Sequence, residues 1–187
     1  MKSKTTLIML VFALVILIVG AAVLYRQLGA DYAPQQLPAG EQQDPAGEKV
    51  KAPDFTVYDA GGKEVHLSDF AGKPIVLNFW ASWCGPCQME MPDFQDKYLE
   101  LGDKVAFVMV NMTDGMRETV QIASDFVQGK GYSFPVYYDT ASDAAVTYGA
   151  YSLPTTYFID AEGYVVAQAT GALDASNLQR GIDMIVK

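Results

Sequence analysis

Cys84 and Cys87 are the only cysteines in a chain of 187 residues, and only Gly85-Pro86 stands between them. Two thiols at positions i and i+3 form a reversible dithiol/disulfide couple: one sulfur attacks a partner disulfide, and the other resolves the mixed disulfide. Other uses of the pair fit poorly. A zinc site wants four ligands, and beyond the two cysteines the chain offers one histidine, His66, in a different segment. A disulfide closing so short a loop restrains little of the unfolded chain, so a purely structural bridge is a weak reading.

The elements around the pair decide which sulfur attacks. Pro74 to Trp80 is a nearly unbroken apolar run, the pattern of a strand buried on both faces. Gln88 to Leu101 has helical spacing, with Met89, Phe94, Tyr98 and Leu101 placed on one side. Cys84 therefore stands where a strand ends, and Gly85-Pro86 open a helix, where proline's missing N–H costs nothing. A sulfur at a helix N-terminus meets unpaired N–H groups and the positive end of the dipole, which favour thiolate. Cys84 is expected to be the exposed nucleophile and Cys87 the resolving thiol.

Phe79-Trp80-Ala81-Ser82-Trp83-Cys84-Gly85-Pro86-Cys87 resembles the active-site segment of thioredoxin. Over residues 53–187 the chain is similar to the membrane-anchored, extracytoplasmic TlpA/ResA-like thiol-disulfide oxidoreductases. The resemblance implies a cis peptide at Leu153-Pro154, lying against the dithiol and turning the Leu153 backbone toward an extended substrate. Trp83, Gly85, Pro86, Leu153 and Pro154 are accordingly the expected substrate contacts. On spacing alone Glu90 reads as a helix-surface acid; the resemblance implies a buried proton relay beneath the sulfurs, with a raised pKa. Asn78 occupies the place of thioredoxin's buried aspartate, which leaves Glu90 as the only acid of that segment. Pro92 is expected to kink the helix one turn below the site, and Gly171 to allow close approach near the dithiol. His66 is read as structural, Trp80 as core, and neither cofactor nor metal is expected.

The rest of the domain supplies the frame. Asp54–Asp59 and Glu64–Leu67 alternate around Gly61-Gly62 as a hairpin. A short helical turn follows, then the strand before the cysteines, and the order continues to β-β-β-α-β-α-β-α-β-β-α. That order predicts an α/β thioredoxin-like fold, a mixed sheet with helices on both faces and an N-terminal hairpin extension.

Ahead of this domain, Leu7 to Leu24 is an unbroken apolar run, about 27 Å long as a helix and enough to cross a bilayer. Lys2 and Lys4 precede it, so the N-terminus is expected to stay cytoplasmic, with no clear cleavage motif after the run. Residues 1–29 are read as a membrane anchor, 30–52 as a flexible linker rich in proline, glycine and glutamine, and 53–187 as the catalytic domain. The formal net charge of −9 argues against nucleic acid as a partner.

The expected activity is protein-disulfide reduction outside the membrane, on exported proteins such as apocytochrome c, with a membrane-embedded thiol reductase as electron donor. An oxidase or isomerase of exported proteins is the nearest alternative. From other classes come a metallochaperone, which wants a histidine after His66 where none exists, and a tethered interaction domain with a vestigial pair. A peroxiredoxin is disfavoured, since no cysteine lies outside the Trp-Cys-x-x-Cys frame.

Overall fold

The computed structural model describes residues 49–186 and, before them, Leu14 alone. The membrane-anchor reading and nearly all of the linker reading fall outside the described residues. Among the described residues no helix is long and apolar enough to cross a membrane.

The elements follow the expected order: β1 (Thr56–Tyr58), β2 (Glu64–His66), a 3-10 turn (Leu67–Phe70), β3 (Ile75–Trp80), α1 (Gly85–Leu101), β4 (Ala106–Asn111), α2 (Val120–Lys130), β5 (Val136–Tyr138), α3 (Asp143–Tyr148), β6 (Thr155–Ile159), β7 (Val165–Thr170) and α4 (Ala175–Ile185). The strands form one sheet in the order β2-β1-β5-β4-β3-β6-β7. β3, β4 and β5 run parallel, as strands joined through helices do. The hairpins β1–β2 and β6–β7 are antiparallel and close the two sides.

β3 lies inside the sheet between β4 and β6, and all six of its residues are buried. Its alternation divides the core. Val76 and Trp80 face α1, α2 and α4 and pack with Phe94, Phe107, Phe158, Leu178 and Ile182. Ile75, Leu77 and Phe79 face the other way, onto Phe55, Val57, Tyr148 and Tyr157. Each large apolar side chain buried here contributes about 1.5–3 kcal/mol, which suits a domain with no disulfide outside the Cys84–Cys87 pair.

One packing expectation needs correction. Met89 is exposed, and the buried stripe of α1 runs instead through Cys87, Glu90, Met91 and Phe94. Cys87 sets this phase: at about 100° per residue, position 89 falls on the opposite side from 87, 91 and 94. On α2, Ala123 is buried and Ile122 is exposed. The helix α1 continues through Pro92 to Leu101 without a break.

The pairing of β3 with β6 brings the distant parts of the site together. Asn78 lies opposite Thr156 and Phe79 opposite Thr155 in an antiparallel register. The residues just before β6 therefore meet the residues just after β3.

Candidate active site: a dithiol at a helix start above a buried glutamate

Cys84 and Cys87 are joined as a disulfide, with their Cα atoms 5.2 Å apart. Cys84 is the N-cap of α1: its backbone is extended, and its Sγ accepts a hydrogen bond from the Cys87 backbone N–H at 3.2 Å. The Cys84 carbonyl accepts from the Gln88 N–H, the first regular bond of the helix. Proline in the first turn removes one donor that would otherwise lack a partner. A thiolate at Cys84 thus meets the amide-rich end of a seventeen-residue helix.

The expectation of an exposed Cys84 needs correction, because the residue is only 5 % exposed. It opens instead onto a groove. Trp83, Gly85 and Pro86 form one side with Cys84; Met112, Asp114 and Arg117 contribute a second, and Ala150, Tyr151 and Leu153 a third. The Leu153–Pro154 peptide is cis. Pro154 is buried just behind Leu153, and its carbonyl accepts from the Gly171 N–H at 2.8 Å. Trp83 is 42 % exposed, whereas Trp80 is in the core. His66 lies on β2, where its Nδ1 pairs with Thr56 Oγ1 at 3.2 Å.

Glu90 lies one turn beyond Cys87 on the buried face of α1 and is 1 % exposed. Asn78 Nδ2 donates to its Oε1 at 2.8 Å, and the Leu173 N–H donates to its Oε2 at 2.9 Å. Burial pushes its carboxyl up to about 8, against those two hydrogen bonds, which pull the other way; the nearby Asp93 adds to the rise. A glutamate so placed exchanges a proton near neutral pH. Asn78 also donates to Thr156 Oγ1 at 3.0 Å, while its Oδ1 has no hydrogen-bond partner. Turning the amide over would let that oxygen accept a hydrogen bond from the O–H of neutral Glu90.

Sequence reasoning missed Glu118, a second buried acid beside the motif. It is fully buried. Its Oε1 accepts from the Ser82 N–H at 2.7 Å and from Asn111 Nδ2 at 2.7 Å, and its Oε2 accepts from the Ser82 hydroxyl at 2.6 Å. Gln88 Nε2 donates to the Ser82 carbonyl at 2.6 Å. Every polar group of Ser82 is thereby tied down, two residues before the nucleophile. The available signal was Glu118 just before the N-cap Thr119, but nothing in the local sequence pointed it at Ser82.

The comparisons agree with this geometry. Residues 49–168 match the AhpC/TSA family. The thiol-disulfide oxidoreductase ResA of Bacillus subtilis (strain 168) is 35 % identical over 139 residues, 74 % of this chain and 75 % of that relative. The ResA of Bacillus thuringiensis subsp. konkukian (strain 97-27) is 35 % identical over 135 residues, 72 % of this chain and 76 % of the relative. Among solved structures, a DsbF homologue from Corynebacterium diphtheriae superposes with a TM-score of 0.66 at 31 % identity, covering 81 % of this chain and 99 % of the other. StoA from Bacillus subtilis superposes with a TM-score of 0.60 at 26 % identity, covering 69 % and 96 %. The chain belongs to the AhpC/TSA family, with ResA-like thioredoxin-fold proteins as its near relatives, and is a thiol-disulfide oxidoreductase.

Proposed function

We propose that this oxidoreductase works as a reductase of disulfides in exported proteins, from the extracytoplasmic side of a membrane to which residues 1–29 tether it. Oxidised apocytochrome c is the leading client class, and a membrane-embedded thiol reductase restores the dithiol. The observation that carries the reading is Cys84 Sγ capping α1, with buried Glu90 one turn beyond Cys87 on the same helix.

In the forward reaction the Cys84 thiolate attacks one sulfur of a client disulfide, and the other client sulfur leaves as a thiolate that takes up a proton. Cys87 then loses its proton to Glu90 and attacks Cys84 Sγ. The Cys84–Cys87 disulfide forms, and the second client thiol departs with the proton returned through Glu90. Two electrons pass from the dithiol to the client. The groove beside Cys84 takes the client chain, with the Leu153 backbone at its edge. Cys84 and Cys87 are the reacting groups and Glu90 the proton carrier; Trp83, Gly85, Pro86, Leu153 and Pro154 hold the client. No cofactor takes part.

Equilibration of the full chain with a glutathione buffer tests the direction. Gly-Pro between the cysteines favours a potential close to thioredoxin's, about −270 mV, whereas a strong oxidant such as DsbA sits near −120 mV. A measured value near the latter would overturn the reductive assignment. For the tether, labelling of intact cells with a membrane-impermeant thiol reagent should reach Cys84 in the reduced chain. Protection until the membrane is breached would place the dithiol on the wrong side.

A further inference from the structure

The turn between β4 and α2 is held at both ends and presents Met112, Asp114 and Arg117 to the groove. Asp114 Oδ1 accepts the backbone N–H groups of Met116 at 2.8 Å, Arg117 at 2.8 Å and Glu118 at 2.9 Å. Immediately afterwards, Glu118 is clamped to Ser82. With its main chain fixed from both sides, Arg117 lays its guanidinium over the indole of Trp83, 3.9 Å from the ring centroid. This is a close cation–π contact, and it occupies one face of the guanidinium.

The N–H edges of that guanidinium remain. Asp114 is the nearby carboxylate whose charge acts on Arg117, but its Oδ1 is committed to three backbone N–H groups of its own turn, and no salt-bridge contact to the guanidinium is formed among the described residues. Arg117 is the one cation and Asp114 the one anion among the described groove residues, and the rest of the wall is largely apolar, with Trp83, Pro86, Met112 and Leu153. A planar fork held by stacking is organised in advance to take a carboxylate by two parallel hydrogen bonds, which a flexible ammonium is not.

We propose that Arg117 is a specificity-determining residue. It selects client segments that carry an acidic side chain within two residues of the attacked cysteine, next to an apolar residue that lies against Trp83. The inference rests on the reductase reading above. It runs against the chain's overall charge of −9, which favours basic clients at long range, so the preference is local. It should survive physiological salt, where exposed charges interact over only about 8 Å.

The test uses the reduced full chain and short peptides, each holding one cysteine in a disulfide with a chromogenic thiol. Glu, Gln or Lys is walked through the two positions on either side of that cysteine, and second-order rate constants are read from release of the chromophore. The wild-type chain is expected to prefer Glu over Gln by about fivefold at one or more positions, in keeping with a single partly exposed charged contact. Arg117→Gln should bring that ratio to about one, Arg117→Lys should leave it in between, and Arg117→Glu should turn the preference toward Lys. A ratio of one at all positions in wild type, a wild-type preference for Lys, or an unchanged ratio in Arg117→Gln overturns the inference. Failure to reduce even the Gln peptides would instead refute the reductase reading. The side chain is exposed, so the variants fold, and the circular dichroism spectrum checks this.

Discussion

Replacing Glu90 with glutamine should remove a pH dependence from the stability of the fold, and the size follows from the burial of one carboxyl. In the folded chain Glu90 titrates at about 8, against an ordinary 4.5 for a glutamate. Its folded pKa lies above its unfolded one, so the native state holds the proton more tightly. Glu90 therefore imposes no ionisation cost below about pH 4.5. The cost grows as pH rises from there, and it levels off above about 8. At roughly 1.4 kcal/mol per pH unit the cost reaches about 3 kcal/mol at pH 7 and about 5 kcal/mol at the plateau. The glutamine side chain would keep the geometry of the neutral acid. Its oxygen can accept from the Leu173 N–H, and its amide can donate to Asn78 Oδ1, which is otherwise without a partner.

The assay is urea unfolding of the oxidised full chain at about pH 5, 7 and 8.5, wild type beside Glu90→Gln. With the disulfide intact neither cysteine titrates, and all other carboxyls cancel in the difference. The variant's advantage should rise with pH by about 3–4 kcal/mol across this range. Parallel curves for the two proteins would refute the burial argument. The same substitution should slow the release of clients from the mixed disulfide by about 10²-fold, the lower end for loss of a general acid–base group, and flatten the pH profile of that step near 8.

Cys87→Ser should accumulate mixed disulfides through Cys84 when the reduced chain meets an oxidised protein, while Cys84→Ser should accumulate none; non-reducing gels with mass spectrometry distinguish them. Glu118→Ala strips acceptors from the Ser82 N–H, the Ser82 hydroxyl and Asn111 Nδ2. It should cost about 2–4 kcal/mol in urea unfolding and lower the rate of attack by Cys84; an unchanged midpoint would show that Ser82 finds other partners. Gly181→Ala would drive a Cβ into the edge of the Phe158 ring, between α4 and β6. The expected loss is about 2–3 kcal/mol, read in the same unfolding assay.

The order of strands and helices was legible because each element carries its own local signal. β3 announced itself by an apolar run, α1 by the motif and its proline, and the hairpins by their turn glycines. Phase was less legible. The apolar residues of α1 admit more than one stripe, and Cys87, which must be buried, sets the face in a phase that leaves Met89 out. The dithiol, Glu90 and Pro154 were also named in advance, the last two through family resemblance. Their meeting depends on contacts that no short window contains. Leu173 reaches Glu90 across 83 positions, and Ser82 reaches Glu118 across 36. Neither Glu118 nor Arg117 carries a local sequence signal that sets it apart from other charged residues. Only the pairing of β3 with its neighbours turns them toward the active-site loop.

The two buried acids divide the labour of the site by what they are bonded to. Glu118 holds the N–H and hydroxyl of Ser82 together with the Asn111 amide, while Gln88 holds the Ser82 carbonyl from the opposite side. Such a node suits holding a main chain still. Glu90 receives one donor on each oxygen and faces an amide whose own oxygen stands without a partner. That surrounding accommodates a carboxyl with or without its proton, by a half-turn of Asn78. An aspartate at position 78 would break this arrangement: a second carboxyl against Glu90 would leave two acids competing for one proton. Asn78→Asp should therefore push the pH at which the release step changes further above 8, whereas a change that stayed where Glu90 alone puts it would mean that position 78 does not sense the proton.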